Sequence, residues 1–231
     1  MAKHGKKYRK VTENLSADKQ FGLSEAVEFL KKNTFAKFDE TAEIAFRLGV
    51  DPTKSDQAVR GSVSLPHGSG KDIRVVVFAS GPAADAAVEA GANDVGFQEL
   101  IDKVKGGWVD FDIAIATTEA MAEVRKLGKV LGPRGLMPNP RNGTVTEDTA
   151  SAVKQFKAGR VEFKMDKAGN VNIPFGKLSF ETTMLAENGK AVIDAVMAAK
   201  PQAIKGLYVK KCTVSSTMGP GLPLEARELN V

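Results

Sequence analysis

The periodicity of the apolar residues changes character twice along the chain, and this limits the folds open to it. Ala42, Ile44, Phe46 and Leu48 alternate with Glu43, Ala45 and Arg47, and a second alternating stretch runs over 59–65. That is the period of strands with one covered face and one wet face. Over 73–79 the pattern becomes a continuous β-branched and aromatic run, as in a strand covered on both sides. Helices and strands then follow at short spacing: an alanine-rich helix to about Ala90, a strand near Asp94-Val95, a helix over 98–105, a strand over 112–116 and a helix to about Leu127. Such alternation predicts a small parallel sheet with helices on both faces. After Gly159 the half-wet pattern returns, at 161–164 and 171–173, around Asp166-Lys167-Ala168-Gly169, which reads as a hairpin turn. A helix over 184–199 and a strand over 207–216 follow.

Strands from the two ends are therefore expected to pair in one sheet, with the middle as an insertion. The turn-formers Pro66-His67-Gly68-Ser69-Gly70 and Ala158-Gly159-Arg160 would be the crossings. On composition alone they serve equally well as surface loops of a single domain. The division expected is 1–67 with 159–231 as one discontinuous domain and 68–158 as the insert. Early in the first segment, Ser24 is the expected cap of a helix running to about Lys32.

Charge is distributed along the same lines. Residues 1–67 hold 12 basic and 9 acidic side chains, and 159–231 hold 10 and 7, a net of +3 each. Residues 68–158 hold 11 and 12, a net of −1. Two ends folded together would make one cationic body, as nucleic-acid binding needs. Lys3, Lys6, Lys7, Arg9 and Lys10 form an acid-free run that serves as a solvated tail or settles on phosphates.

Several function classes are disfavoured. No apolar run approaches the roughly 20 residues of a membrane span, and no apolar stretch follows the basic N-terminus, so neither a membrane association nor a secretory signal is expected. One cysteine, Cys212, rules out an intramolecular disulfide and fits the cytoplasm. His4 and His67 are too far apart for a zinc pair, and no cofactor or metal constellation is present. Gly70-Lys71 lacks the flanking residues of a phosphate loop, since Leu65 and Asp72 stand where Gly and Ser/Thr are required. Only Gly81 follows the 73–79 strand, short of a dinucleotide fingerprint. No catalytic residue is assigned. The rival class is an α/β enzyme or small-ligand-binding protein holding a phosphorylated ligand at the C-terminal ends of the 73–79 and 112–116 strands.

Five segments carry more information: Ala2-Lys3-His4-Gly5-Lys6; Lys37-Phe38-Asp39-Glu40-Thr41; Arg60-Gly61-Ser62-Val63-Ser64-Leu65-Pro66-His67-Gly68; the Gly- and Pro-rich stretch 132–140; and Thr217-Met218-Gly219-Pro220. Together, in order and across almost the whole chain, they resemble the bacterial large-subunit ribosomal protein L-one family. The resemblance implies an α/β protein of two domains. One is a discontinuous two-layer α+β domain with a largely antiparallel sheet, and the other is an inserted Rossmann-like three-layer α/β/α domain. It also implies a monomer outside the ribosome with no enzymatic activity, bound to the mobile side stalk of large-subunit rRNA. Proximity to deacylated tRNA leaving the exit site, and repression of its own operon mRNA, are further implications.

The RNA-binding residues expected on that basis are Lys37, Phe38, Thr41, Asp166, Lys177, Ser179, Thr217, Met218 and Gly219. The chemistry is suitable. A-form RNA is read through shape, 2′-hydroxyls and unpaired bases. Thr217 brings a hydroxyl, Gly219 a backbone without a Cβ, and Met218 a flexible apolar surface for a sugar face. Asp166 accepts from a base amino group or a 2′-hydroxyl. The plain alternatives are that Phe38 packs in the core and that 217–219 simply end a strand. The stretch 132–140 reads either as a rigid structural loop or as a place where Arg134 meets phosphate or the other domain.

Overall fold

The computed structural model describes residues 5–13, 15, 19–202, 204 and 206–225. Lys3 and the rest of 2–4, and the tail 226–231, lie outside the described residues. In chain order the elements are helices α1 (Lys6–Thr12) and α2 (Leu23–Lys32), strands β1 (Thr41–Leu48), β2 (Arg60–Ser64) and β3 (Val75–Phe78), α3 (Pro82–Glu89), β4 (Asp94–Gly96), α4 (Gln98–Lys105) and β5 (Ile113–Ala116). Then come α5 (Met121–Val124), α6 (Gly128–Leu131), α7 (Thr149–Lys157), β6 (Arg160–Lys164), β7 (Asn170–Lys177), α8 (Thr182–Ala198), β8 (Val209–Ser216) and β9 (Leu222–Pro223). They form two compact units, Met1–Gly70 with Val161–Val231, and Lys71–Arg160.

The first unit is built on an antiparallel sheet in the order β7-β1-β8-β9. Alternation along β1 buries Ala42, Ile44, Phe46 and Leu48 and leaves Glu43 and Arg47 in water. The covered side meets α2 and α8: Ala26, Val27, Leu30, Leu185, Val192 and Val196 join Ile44, Phe46, Ile173, Phe175 and Val214 in one core. Pro174 sits in β7, an edge strand, where its missing N–H costs no ladder bond, and the register shifts beside its partner Glu43.

Two local expectations are corrected. Residue 166 does open a turn, with the Gly169 N–H donating to the Asp166 carbonyl at 3.2 Å. The flanking strands nevertheless go to different sheets, β6 to β2 and β7 to β1, because each finds its covered partner elsewhere. The cap of α2 is Gly22, with Ser24 inside the first turn. The chain enters that helix from Phe21, whose N–H donates to the Pro223 carbonyl at 3.0 Å, and this sets the start two residues earlier.

In the second unit three parallel strands lie in the order β4-β3-β5. All four residues of β3 are buried. Val75 and Val77 pack with Ala87 of α3 and Val153 and Phe156 of α7. Val76 and Phe78 face the other way, toward Leu100, Ile101 and Val104 of α4, Val124 of α5 and Leu131 of α6. This is the α/β/α layering that a doubly covered strand demands.

Asn188 is fully buried in α8, at 0 % exposure. Its amide donates to the Phe175 carbonyl at 2.9 Å and the Gly68 carbonyl at 3.0 Å, and accepts from the His67 N–H at 3.0 Å. Asn188→Ala strands one buried and two half-buried backbone groups at once. It is expected to cost about 2–4 kcal/mol in a urea denaturation. Burial also pushes the Cys212 thiol up to about 12. It is therefore neutral and shielded in the native state while the unfolded thiol ionises near its ordinary value. Its contribution to stability is present at neutral pH and is lost as pH rises from about 9 toward 12. At pH 8 a disulfide-exchange reagent should label Cys212 only at the rate of unfolding.

Candidate nucleic-acid interface

Antiparallel pairing with offset 41↔177 and 42↔216 brings three strand ends to one edge of the first unit: the start of β1 and the ends of β7 and β8. The segments that lead into or out of these strands meet there. The Thr217 N–H donates to the Thr41 carbonyl at 3.1 Å, and the Thr41 N–H donates to Thr217 Oγ1 at 3.0 Å. Lys177 Nζ donates to Thr41 Oγ1 at 2.9 Å and to the Asp39 carbonyl at 3.5 Å. The Asp39 carboxylate accepts from the Ser179 N–H at 3.1 Å and from Ser179 Oγ at 2.8 Å.

Beneath this lattice lies Glu40, only 1 % exposed. One carboxylate oxygen accepts from Ser216 Oγ at 2.7 Å and from the Met218 N–H at 3.0 Å. The Gly219 N–H donates to the Ser216 carbonyl and to Ser216 Oγ, both at 3.2 Å. Gly219 is needed for space. A Cβ there would stand 2.5 Å from Ser216 Oγ.

Of the nine residues expected at the site, Lys37, Phe38, Thr41, Lys177, Ser179, Thr217, Met218 and Gly219 belong to these three converging segments. Asp166 does not. It lies beyond the opposite end of β7, and the eight residues from Asn170 to Lys177 alone span about 23 Å. Its carboxylate accepts from the Ala168 and Asn170 N–H groups at 2.8 and 2.7 Å, and the Asn170 backbone bond, foremost, holds its carboxyl below the usual range.

Phe38 is 55 % and Met218 49 % exposed. Among the described residues only four large apolar side chains stay in water, the others being Val88 and Leu207, so two of the four belong to this cluster. The core role for Phe38 is thereby excluded. The carriers missed from sequence are Asp39 and Glu40, since an acidic pair at a basic surface reads as solvent-facing. The parity of β1 held the signal: Glu40 is in phase with Ala42, Ile44, Phe46 and Leu48, on the covered side.

Elsewhere, the His67 ring lies 2.5 Å from the Glu187 carboxylate, a structural contact. In the 132–140 stretch Pro138 is buried and Leu136 and Met137 pack onto the second unit's core, while Arg134 is exposed. Among the described residues no group of three or more His, Cys, Asp or Glu could hold a metal ion, and no helix is long and apolar enough to cross a membrane.

A rim of hydroxyls and ammonium groups around two exposed apolar side chains, on a two-unit α/β scaffold, is a surface for holding a partner. The chain belongs to the ribosomal protein L1p/L10e family, whose model matches residues 30–220. It is 51 % identical over 229 residues, 99 % of both chains, to the large ribosomal subunit protein uL1 of Chlamydia trachomatis serovar L2b, and equally to that of serovar D. The serovar L2 protein is 50 % identical over the same length. This chain is accordingly a ribosomal protein and not an enzyme.

Glu40→Ala removes the acceptor for one buried and one half-buried donor and is expected to cost about 1–3 kcal/mol, with Glu40→Gln much closer to the parent, in chemical denaturation. Gly219→Ala should cost about 1–3 kcal/mol by forcing the Ser216 hydroxyl off Glu40.

Proposed function

We propose that this edge of the first unit binds folded RNA, namely the mobile side stalk of large-subunit rRNA. The carrying observation is that Phe38 and Met218 both stay exposed on segments tied together at one sheet edge, with Lys37 exposed next to Phe38 and Lys177 bonded to Thr41. Water is a poor neighbour for two such side chains, and a ribose or base face is a good one. Lysines at the rim supply the sequence-independent attraction to phosphate.

The wet side of the sheet continues the surface. Glu43, Arg47, Asn172 and Lys211 are exposed along it, toward the end where Asp166 stands. On this reading Asp166 meets the same RNA about one strand-length away, at different nucleotides from those at Phe38. The RNA-binding domain is thus the one made from both termini, and the neutral insert, 68–158, contributes little rRNA affinity. Placement on a mobile stalk puts the protein beside deacylated tRNA in the exit site, whose release it aids. Repression follows by competition: an operon mRNA that imitates the rRNA site is bound only when rRNA is scarce.

The test is a binding titration against a side-stalk transcript. Phe38→Ala and Met218→Ala are each expected to weaken binding tenfold or more, or about 1.4 kcal/mol, whereas Val88→Ser on α3 leaves it unchanged. Log affinity should fall linearly with log salt, and Lys37→Ala should reduce the slope by about 0.7–0.9. Salt-insensitive binding, or full affinity in both apolar variants, overturns the proposal. Excess stalk transcript should likewise displace the operon mRNA leader.

A further inference from the structure

Among the described residues, the fold shelters every oxidisable sulfur but one. The Cys212 side chain is buried, and burial keeps its thiol protonated and unreactive. Met165 and Met197 pack against the core of the first unit, Met121 and Met137 against that of the second, and Met184 is half-buried on α8. Of the described methionines Met218 alone is exposed, at 49 %. It stands on the tip formed by 217–219, whose backbone cannot withdraw it, because the Met218 N–H is held by the buried Glu40 carboxylate at 3.0 Å. A thioether reacts through its sulfur lone pair and needs no deprotonation, so access to solvent decides which methionine an oxidant meets first.

We propose that Met218 is an oxidation-sensitive modification site, at which a peroxide-class oxidant switches off the affinity of this surface for RNA. In the step, the sulfur lone pair attacks one peroxide oxygen. An S–O bond forms, the O–O bond breaks, and the displaced hydroxide takes the proton of the transferred hydroxyl and leaves as water. Methionine is oxidised by two electrons to its sulfoxide, and the peroxide is reduced. A dithiol reductant reverses the change, carrying the oxygen off as water and ending as a disulfide. The product no longer suits the surface. Its side chain is polar, and its oxygen accepts hydrogen bonds without offering any. Backbone donors at the tip are already spent: the Thr217 N–H on the Thr41 carbonyl, the Met218 N–H on Glu40 and the Gly219 N–H on Ser216. Pressed against a ribose or base face, the new oxygen loses water with no backbone donor at the tip to replace it. No charge is added or removed, so the loss falls on the apolar contact and spares the lysines' attraction to phosphate. This rests on the reading of the cluster as an RNA surface, and adds a means of regulating it.

The experiment treats the full chain with dilute hydrogen peroxide, maps each methionine by peptide mass, and titrates treated and untreated protein against the side-stalk transcript. Met218 should gain its oxygen at least about fivefold faster than Met121, Met137, Met165, Met184 and Met197. Once it is oxidised, affinity should fall about tenfold or more with the salt slope unchanged, and the dithiol-dependent reductases for the two sulfoxide epimers should restore it. Met218→Leu, compared with itself before and after treatment, should change less than about twofold. Faster oxidation of any of the other five overturns the inference. So does a 218 sulfoxide that binds within about twofold of the untreated parent, or a loss that persists in treated Met218→Leu. Failure of the untreated parent to bind would instead remove the RNA reading itself, whereas the order of oxidation is read independently of it.

Discussion

Strand β1 is paired on both edges by strands that come more than a hundred residues later in the chain, β7 on one side and β8 on the other. Everything at the candidate interface depends on this double pairing. An antiparallel partner on each edge brings the start of β1 to the ends of two other strands, so three loops leave the sheet at one place. Had β1 paired with its neighbour in sequence, as in a hairpin, the 37–41 segment would have met a turn rather than the 217–219 tip. The long closure is thermodynamically mild, because loop entropy grows only logarithmically and each doubling of length adds about 0.6 kcal/mol. A folded insert shortens the effective loop further, so a whole α/β unit can be accommodated between β2 and β6.

Legibility from sequence followed the scale of the interaction. Burial patterns that repeat over a strand were readable. The period of two in β1 and the unbroken apolar run of β3 each dictate a covering layer, and both layers are present. Local chemistry was less secure. Asp166 to Gly169 has the composition of a hairpin turn and does make a turn, yet which strand pairs with which is decided by the facing core. That is why β6 lies with β2. Ser24 is a competent cap residue overruled by the path from Phe21, whose backbone is tied to β9.

At the interface, sequence pointed to the residues that face outward and missed those that hold them. Phe38, Met218 and Lys177 stand out by type beside their neighbours. Asp39 and Glu40 belong to an informative segment, yet nothing in their type says that they face inward rather than toward the ligand. Glu40 is turned inward by the parity of β1, and Asp39 is occupied by Ser179. Their partners lie 140 and 176 residues away. No local pattern carries that information.

The same two carboxylates explain how the surface keeps its shape without a ligand. Loops leaving a sheet edge have few apolar contacts and open easily, so a recognition site made only of such loops must be ordered at the moment of binding. Here Asp39 ties the 37–41 segment to the turn after β7, and Glu40 ties it to the turn after β8. One short acidic pair thus fastens both neighbours of β1. Negative charge beside an RNA-binding surface weakens long-range attraction. Its placement offsets this, because one carboxylate is buried beneath the tip and the other is spent on neutral donors. What is gained is rigidity, which lowers the ordering cost of each encounter and leaves the rim lysines, Phe38 and Met218 to meet the partner.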